Sequence, residues 1–310
     1  MAASSIPKPT VGILYCGELG TAFGKLLRQG GLRVVTTCQD RSRATYERAL
    51  SSGINILPTL ADVAAQSHFV FSFVLPLAAV DVARQYLRCS CLRPQHGIFV
   101  EGNSIGLQAM EEIKSLMAVQ NVPLVDAAVN GGANRLEDLG VLHVSGPRVG
   151  EVEGLCHGLM RVNPLGEYIG SASCLKLLIS GIAKGLPALF LETSVLAERA
   201  GMSEAFLQGC CQFYPDLMKM IERTLITYPR HACRRVGEIA NVEQMGRAMN
   251  LRLGMTREAG ELTRLAASVD WEQIVSRGPV DLRAILQAVS KAFPVEDGSP
   301  ALLEVPHGTE

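Results

Sequence analysis

From Val11 onward the chain alternates short apolar runs with stretches whose apolar residues recur every three or four positions. The runs Val11–Tyr15, Arg33–Cys38, Phe69–Leu75, Gly97–Glu101, Pro123–Ala127 and Gly140–Ser145 predict strands. Between them, Thr21–Gln29, Ser42–Ser52, Leu60–Ala65, Ala78–Cys89 and Leu107–Val119 carry the helical period. Short strands alternating with helices predict an α/β domain built on a mainly parallel, doubly wound sheet. Such sheets bind ligands beyond the carboxyl ends of their strands.

After Tyr168-Ile169-Gly170 the strand pattern stops. Residues 173–202, 203–226, 230–250, 252–268 and 280–293 read as helices, with turns at Gly201, Tyr228-Pro229 and Gly278-Pro279. The predicted organisation is therefore a dinucleotide-binding domain over residues 1–170 and an all-helical domain over 171–296. A tail over 297–310, rich in Gly, Pro and charge, is expected to be loose. The first helix of the second domain is almost uniformly apolar from Leu175 to Leu191, which predicts burial on most sides, and Pro187 predicts a kink.

Composition narrows the function classes. The 310 residues carry a net charge of −1, and no basic run with interleaved aromatics occurs, so neither nucleic acid nor an anionic membrane is an expected partner. Residues 1–10 lack the apolar core of a signal peptide, and Phe69–Ala83 is interrupted by Pro76 and Asp81, so a cytoplasmic protein with no membrane span is expected. Nine cysteines show no metal-like spacing; Cys89-Ser90-Cys91 and Cys210-Cys211 are conceivable redox pairs, and reduced, buried thiols are the plainer expectation. A mean hydropathy of +0.21 is high for a monomer and suggests a subunit interface.

Three segments carry candidate chemistry. The first is Tyr15-Cys16-Gly17-Glu18-Leu19-Gly20, after the first predicted strand. A dinucleotide site needs a tight turn here, so that backbone amides and a helix N-terminus face the pyrophosphate. Gly17 and Gly20 match the second and third glycines of GxGxxG, and Tyr15 stands in place of the first. After the second strand come Asp40, Arg41, Ser42 and Arg43. Asp40 would suit the ribose hydroxyl of NAD; the two guanidiniums and the serine would suit the 2′-phosphate of NADP, which is the expectation adopted. The plain alternative is that Ser42 caps a helix and both arginines are solvated.

The second segment is Asp126-Ala-Ala-Val-Asn130-Gly131-Gly132. Paired glycines after a strand expose amides that can hold a carboxylate, and Asn130 can add a side-chain donor; an ordinary turn would look alike. The third is Lys176, six residues after Gly170 at the head of the apolar helix. Partial desolvation there would lower its pKa and suit it to proton transfer. A snorkelling lysine is the alternative reading, and Lys184 is a competing candidate.

Together these segments resemble the β-hydroxyacid dehydrogenase superfamily, which includes 6-phosphogluconate and 3-hydroxyisobutyrate dehydrogenases. DAAVNGG at 126–132 is similar to the family's DAPVSGG, and Gly170 to Lys176 reproduces the spacing to its catalytic lysine. Val74-Leu75-Pro76 and Glu101-Gly102-Asn103-Ser104 resemble its cofactor-contacting loops. The segments 34–49 and 231–245 resemble a branch with a phosphogluconate-dehydrogenase-like helical domain.

The resemblance implies an α/β Rossmann-type doubly wound parallel sheet followed by an all-α C-terminal domain. It implies an NADP-dependent dehydrogenase or reductase acting on a small hydroxy or keto compound, or an imine. Lys176, as general acid and base, and Asn130 would be the catalytic residues, with Asn130, Gly131, Gly132 and Ser180 at the substrate. Gly17, Glu18, Leu19, Gly20, Arg41, Ser42, Arg43, Leu75, Pro76 and Asn103 would hold the cofactor. His231, Arg234, Arg235 and Glu238 are further candidates for substrate contact, although a charged helix face explains them as well. Pairing of helical domains in a homodimer is also implied. Where the family often has asparagine after the lysine, this chain has Ile179 and Ser180. That departure and Tyr15 leave two alternatives: a nucleotide-binding sensor or scaffold without catalysis, and an imine reductase on the same fold.

Overall fold

The computed structural model describes residues 8–90, 97–276, 278 and 280–294. The chain divides into two compact units, Met1–Leu177 and Leu178–Glu310.

The first unit is built on one eight-stranded sheet with the order β3-β2-β1-β4-β5-β6-β7-β8. Its strands are β1 (Thr10–Leu14), β2 (Arg33–Thr37), β3 (Asn55–Leu57), β4 (Phe69–Ser72), β5 (Ile98–Glu101), β6 (Leu124–Asn130), β7 (Val141–Ser145) and β8 (Arg161–Pro164). Every pairing is parallel except β6 with β7, which is antiparallel. Helices α1 (Glu18–Gln29), α2 (Arg43–Ser51), α3 (Leu60–Gln66), α4 (Ala79–Ser90), α5 (Leu107–Val119), α6 (Leu136–Leu139) and α7 (Val149–Cys156) connect the strands. The strand order reverses at β1, which has β2 on one side and β4 on the other.

Alternation along the strands supplies two cores. Val11 and Ile13 of β1, Phe71 of β4 and Val125 and Ala127 of β6 pack with Phe23 and Leu27 of α1. Leu14 of β1, Val70 of β4 and Leu124 of β6 pack on the other face with Val63, Tyr86 and Ile113. Side chains one residue apart point to opposite faces, so a nearly continuous apolar strand covers both.

Helix α8 (Ser171–Arg199) begins in the first unit and continues into the second. The second unit continues with α9 (Ser203–Phe213), α10 (Pro215–Leu225), α11 (Tyr228–Ala248), α12 (Gly254–Ala267), α13 (Trp271–Val275) and α14 (Leu282–Ala292). Leu191, Ile221, Leu225, Tyr228, Ile239, Ala266, Trp271 and Ile285 form its core.

Several expectations are corrected. Strands β3 and β8 escape the sequence reading because they are short edge strands with partly exposed residues. The span 203–226 is two helices, not one, because Pro215 lacks the N–H needed to continue and instead opens α10. Pro229 likewise lies in the first turn of α11 rather than in a turn before it. Helix α8 runs through Pro187 as one helix. It is not buried on most sides: one third of its most apolar window is covered, and Leu178, Ile182, Leu189 and Leu196 are exposed. Apolar residues surround this helix, and its second half is packed on the side bearing Ala188, Leu191 and Val195 and at Phe190. By length and composition alone it could span a bilayer. Cys91, Pro279 and the tail over 297–310 lie outside the described residues.

Candidate active site

The glycine turn leaves β1 at its carboxyl end, beside the reversal in strand order. Gly17 is the N-cap of α1, and no side chain caps that end. The first-turn amides of an uncapped helix are free to meet an anion. A Cβ added to Gly17 would meet nothing within 4 Å, so the space beside the turn is open. At Gly20 the same atom would lie 2.2 Å from the Tyr15 carbonyl oxygen and 3.1 Å from Ile13 Cγ2. Gly20 thus lets the helix close onto the turn, while Gly17 leaves room in front of it. Glu18 is exposed and Leu19 half-buried on the same first turn. The neighbouring Cys16 is buried, which pushes its thiol up to about 11 and makes it a poor nucleophile.

Tyr15 does more than fill the place of a glycine. The Arg41 guanidinium stacks over its ring, 4.5 Å from the centroid, so the β2–α2 loop meets the glycine turn here. Arg48 reinforces that junction by donating to the Cys16 carbonyl at 3.1 Å. Ser42 is the N-cap of α2 and accepts from the Thr45 amide at 3.3 Å. Arg43 is exposed and pairs with Glu47 at 2.8 Å. Of the three residues expected at a 2′-phosphate, Arg41 is therefore the one packed against the turn.

The loop after β4 is held by Asn103, which follows β5. Its Oδ1 accepts from the Val74 amide at 2.5 Å, and its Nδ2 donates to Ser72 Oγ at 3.0 Å and to Glu101. Both ends of this buried carboxamide are committed, so Asn103 shapes the Val74-Leu75-Pro76 loop. Leu75 is exposed at its tip. Glu101 is buried, and burial pushes its carboxyl up to about 7 against the hydrogen bonds from Asn103.

The third group is assembled on one face of the antiparallel β6–β7 pair. Asp126 and Asn130 of β6 share this face with His143 and Ser145 of β7. Asp126 Oδ2 accepts from the Gly170 and Ser173 amides, both at 3.0 Å, and Oδ1 accepts from Ser173 Oγ at 2.7 Å. Ser145 Oγ donates to Asp126 at 3.1 Å and accepts from the Ala172 amide at 3.1 Å. A carboxylate and a serine of the sheet thereby cap the N-terminus of α8. One turn later Lys176 Nζ donates to the carbonyl oxygen of Val129, the residue before Asn130. Gly131 follows at φ +118°, a conformation that favours glycine, and Gly132 is exposed beside it.

Asn130 contacts His143 Nε2 at 3.1 Å, and Asn163 of β8 contacts His143 Nδ1 at 2.9 Å. Burial, and then the nearby charge of Lys176, lower the pKa of this imidazole. Sequence reasoning missed His143, Ser145, Asn163 and Ser173. A signal for the first two was present: His143 and Ser145 are polar residues at alternate positions of an otherwise apolar strand.

In the second unit, Ser180 is buried and accepts from Lys184 Nζ at 2.8 Å. Lys184 is neutralised by Glu238 at 2.7 Å, with both side chains mostly buried. Arg234 pairs with the same Glu238 at 3.4 Å, as a helix-face reading expects. Arg235 is buried over the Tyr228 ring and donates to Thr227 Oγ1 at 2.7 Å.

An open, uncapped helix N-terminus at the switch point of this sheet is the geometry of a dinucleotide site, and residues 10–148 match the NAD binding domain of 6-phosphogluconate dehydrogenase. That stretch is an NAD-binding domain of the 6-phosphogluconate dehydrogenase family. The sheet and the helical region that follows are also the fold of solved 3-hydroxyisobutyrate dehydrogenases. A conserved protein of unknown function, described as structurally similar to 3-hydroxyacid dehydrogenases, is 28% identical. It superposes with a TM-score of 0.65 over 83% of this chain and 99% of its own. The 3-hydroxyisobutyrate dehydrogenase of Mycobacterium tuberculosis, solved with L-serine, shares the fold at TM-score 0.70 and 14% identity, over 91% of this chain and 99% of its own. An uncharacterised 28.5 kDa protein of Methanothermus fervidus is 26% identical over 246 residues, which are 78% of this chain and 92% of that one.

Proposed function

We propose that the protein is an NADP-dependent oxidoreductase of the β-hydroxyacid dehydrogenase type, acting on a small hydroxy or keto compound, or an imine. The observation that carries this reading is the anchoring of α8 on Asp126, which holds Lys176 beside the end of β6 and Asn130. Gly17, Glu18, Leu19 and Gly20 would bind the pyrophosphate through backbone amides. Arg41, with Ser42 and Arg43 nearby, would hold the 2′-phosphate, and Leu75, Pro76 and Asn103 would shape the neighbouring wall. When bound, the nicotinamide supplies or accepts the hydride.

Lys176 gives a proton to the carbonyl oxygen of the substrate in reduction and removes it from the hydroxyl in oxidation. Asn130 and the amides of Gly131 and Gly132 orient a polar group of the substrate, and Ser180 is assigned to the same task. Two copies pairing through the exposed apolar side of α8 fit this reading, since Leu178, Ile182, Leu189 and Leu196 would then be covered. The free thiols among the described residues suit the cytoplasm.

NADPH fluorescence titration followed by a turnover screen with hydroxy acids, keto acids and imines tests the proposal. Lys176→Ala is expected to abolish turnover while leaving NADPH affinity within about twofold. Arg41→Ala is expected to erase the preference for NADPH over NADH. Unchanged turnover in the lysine variant would reject its role. Tight NADPH binding without turnover of any substrate would favour the sensor reading, and turnover confined to imines would favour an imine reductase.

A further inference from the structure

We propose that Glu101 is a positioning residue for the cofactor: through Asn103 it fixes the Val74 amide, and with it the wall that the Val74-Leu75-Pro76 loop presents to the dinucleotide. The carboxamide of Asn103 acts on the cofactor through that wall and gives it no N–H of its own. The inference rests on the reading of this loop as one side of the cofactor site.

The place of the loop follows from the sheet. The strand order reverses at β1, so the crevice that takes a dinucleotide opens between the carboxyl ends of β1 and β4. The glycine turn leaves β1 on one side of it, and residues 73–76 leave β4 on the other. Backbone bonds tie the two together. The Phe73 amide donates to the Leu14 carbonyl at 2.5 Å, and the Tyr15 amide donates to the Phe73 carbonyl at 3.2 Å. On the far side, the Gly102 amide donates to the Ser72 carbonyl at 3.0 Å. A Cβ on Gly102 would run into the Phe73 ring, so this glycine lets the end of β5 close on the end of β4.

The sense of each bond to Asn103 is fixed by a partner that can act in one way alone. A backbone amide donates, so the atom of Asn103 that meets the Val74 amide, at 2.5 Å, is the oxygen Oδ1. The carboxamide nitrogen is thereby turned away from the loop. Nδ2 has two hydrogens and meets two acceptors, Ser72 Oγ at 3.0 Å and Glu101 Oε1. The backbone amide of Asn103 donates to the same Oε1 at 3.0 Å.

Glu101 therefore grips Asn103 twice, by main chain and by side chain, and Nδ2 has no hydrogen left for a ligand. Ser72, Glu101 and Asn103 are all buried, so bulk water does not replace a partner lost here. Removal of the carboxyl would free the carboxamide to turn, and the Val74 amide would lose its acceptor. The loop would then lose its tie to β5 at the residue where it enters the crevice wall.

Exchange of the Val74 amide and NADPH affinity, both in the full-length protein, test the proposal. In the wild type and in Glu101→Gln, which keeps an acceptor for both Asn103 bonds, the Val74 amide is expected to be protected. Their NADPH Kd values are expected to agree within about twofold. Glu101→Leu and Asn103→Ala are each expected to speed Val74 exchange at least about tenfold and to raise the NADPH Kd about tenfold. The double variant is expected to bind no more weakly than Asn103→Ala alone, because Glu101 acts through Asn103. Losses that multiply would overturn the proposal, as would wild-type affinity in Glu101→Leu or equally weak binding in Glu101→Gln. Where Glu101→Leu does not fold, Asn103→Asp keeps the acceptor for Val74 and removes the donor to Glu101; unchanged NADPH affinity in that variant would overturn it too. A wild type that binds no NADPH would defeat the cofactor reading, and Val74 exchange would still judge the link from Glu101 to the loop.

Discussion

The hydroxyl of Ser173 donates to the Asp126 carboxylate at 2.7 Å, across 47 residues of chain. This bond, with the Gly170 and Ser173 amides, seats the first turn of α8 on the sheet. Burial raises the pKa of Asp126, and the donors oppose that rise. Lys176 is one turn further along, so the anchor acts on the proposed proton-transfer group through the helix.

Removal of the anchor should therefore cost stability and turnover together. Ser173→Ala is expected to destabilise the protein by about 1–3 kcal/mol, since a buried carboxylate oxygen loses its donor. The kcat is expected to fall while NADPH affinity is retained. Urea unfolding, NADPH titration and steady-state kinetics on the same variant measure the three effects. A variant with full stability would show that the hydroxyl is dispensable.

The two glycines of the turn should separate folding from binding. Gly20→Ala places a methyl against the Tyr15 carbonyl and is expected to cost about 1–3 kcal/mol. Gly17→Ala meets open space at φ −69°, so stability should change by less than about 0.5 kcal/mol. Its methyl would stand where the pyrophosphate approaches, and NADPH affinity is expected to drop at least about tenfold. Comparable melting temperatures for both variants would contradict this division.

Glu101 should impose a pH dependence on stability. Its carboxyl is pushed up from 4.5 to about 7, so the folded state holds a proton that the unfolded state releases. That contribution is fully present below about pH 4.5 and is lost as pH rises through about 7. Glu101→Gln cannot ionise. Its stability relative to the wild type is expected to improve by about 1–3 kcal/mol between pH 4 and pH 8. Denaturant unfolding at the two pH values checks this, and a constant difference would show that Glu101 does not titrate there.

Much of this protein is legible along the chain because its signals are local. Helix Leu107–Val119 follows from periodicity alone, and β1 and β2 from short apolar runs, the first closed by Gly17 and the second by Gln39-Asp40. Gly17 and Gly20 declare a turn by spacing, and Lys176 stands out as a charge on an apolar helix. The edge strands Asn55–Leu57 and Arg161–Pro164 leave little trace, because an exposed three- or four-residue strand has no apolar stripe to show.

What only the tertiary structure decided are the partnerships. No periodicity relates Asp126 to Ser173, Asn130 to His143 and Asn163, or Tyr15 to Arg41. Hydrogen bonds and ring contacts act over a few ångströms, and those distances exist once strand order and register are set. Pairing β6 antiparallel with β7 puts His143 and Ser145 on the face of Asp126 and Asn130, whereas a shift of one residue would turn them to the opposite core. Residue types thus specify which groups can do chemistry, and the packing of the sheet specifies which of them meet.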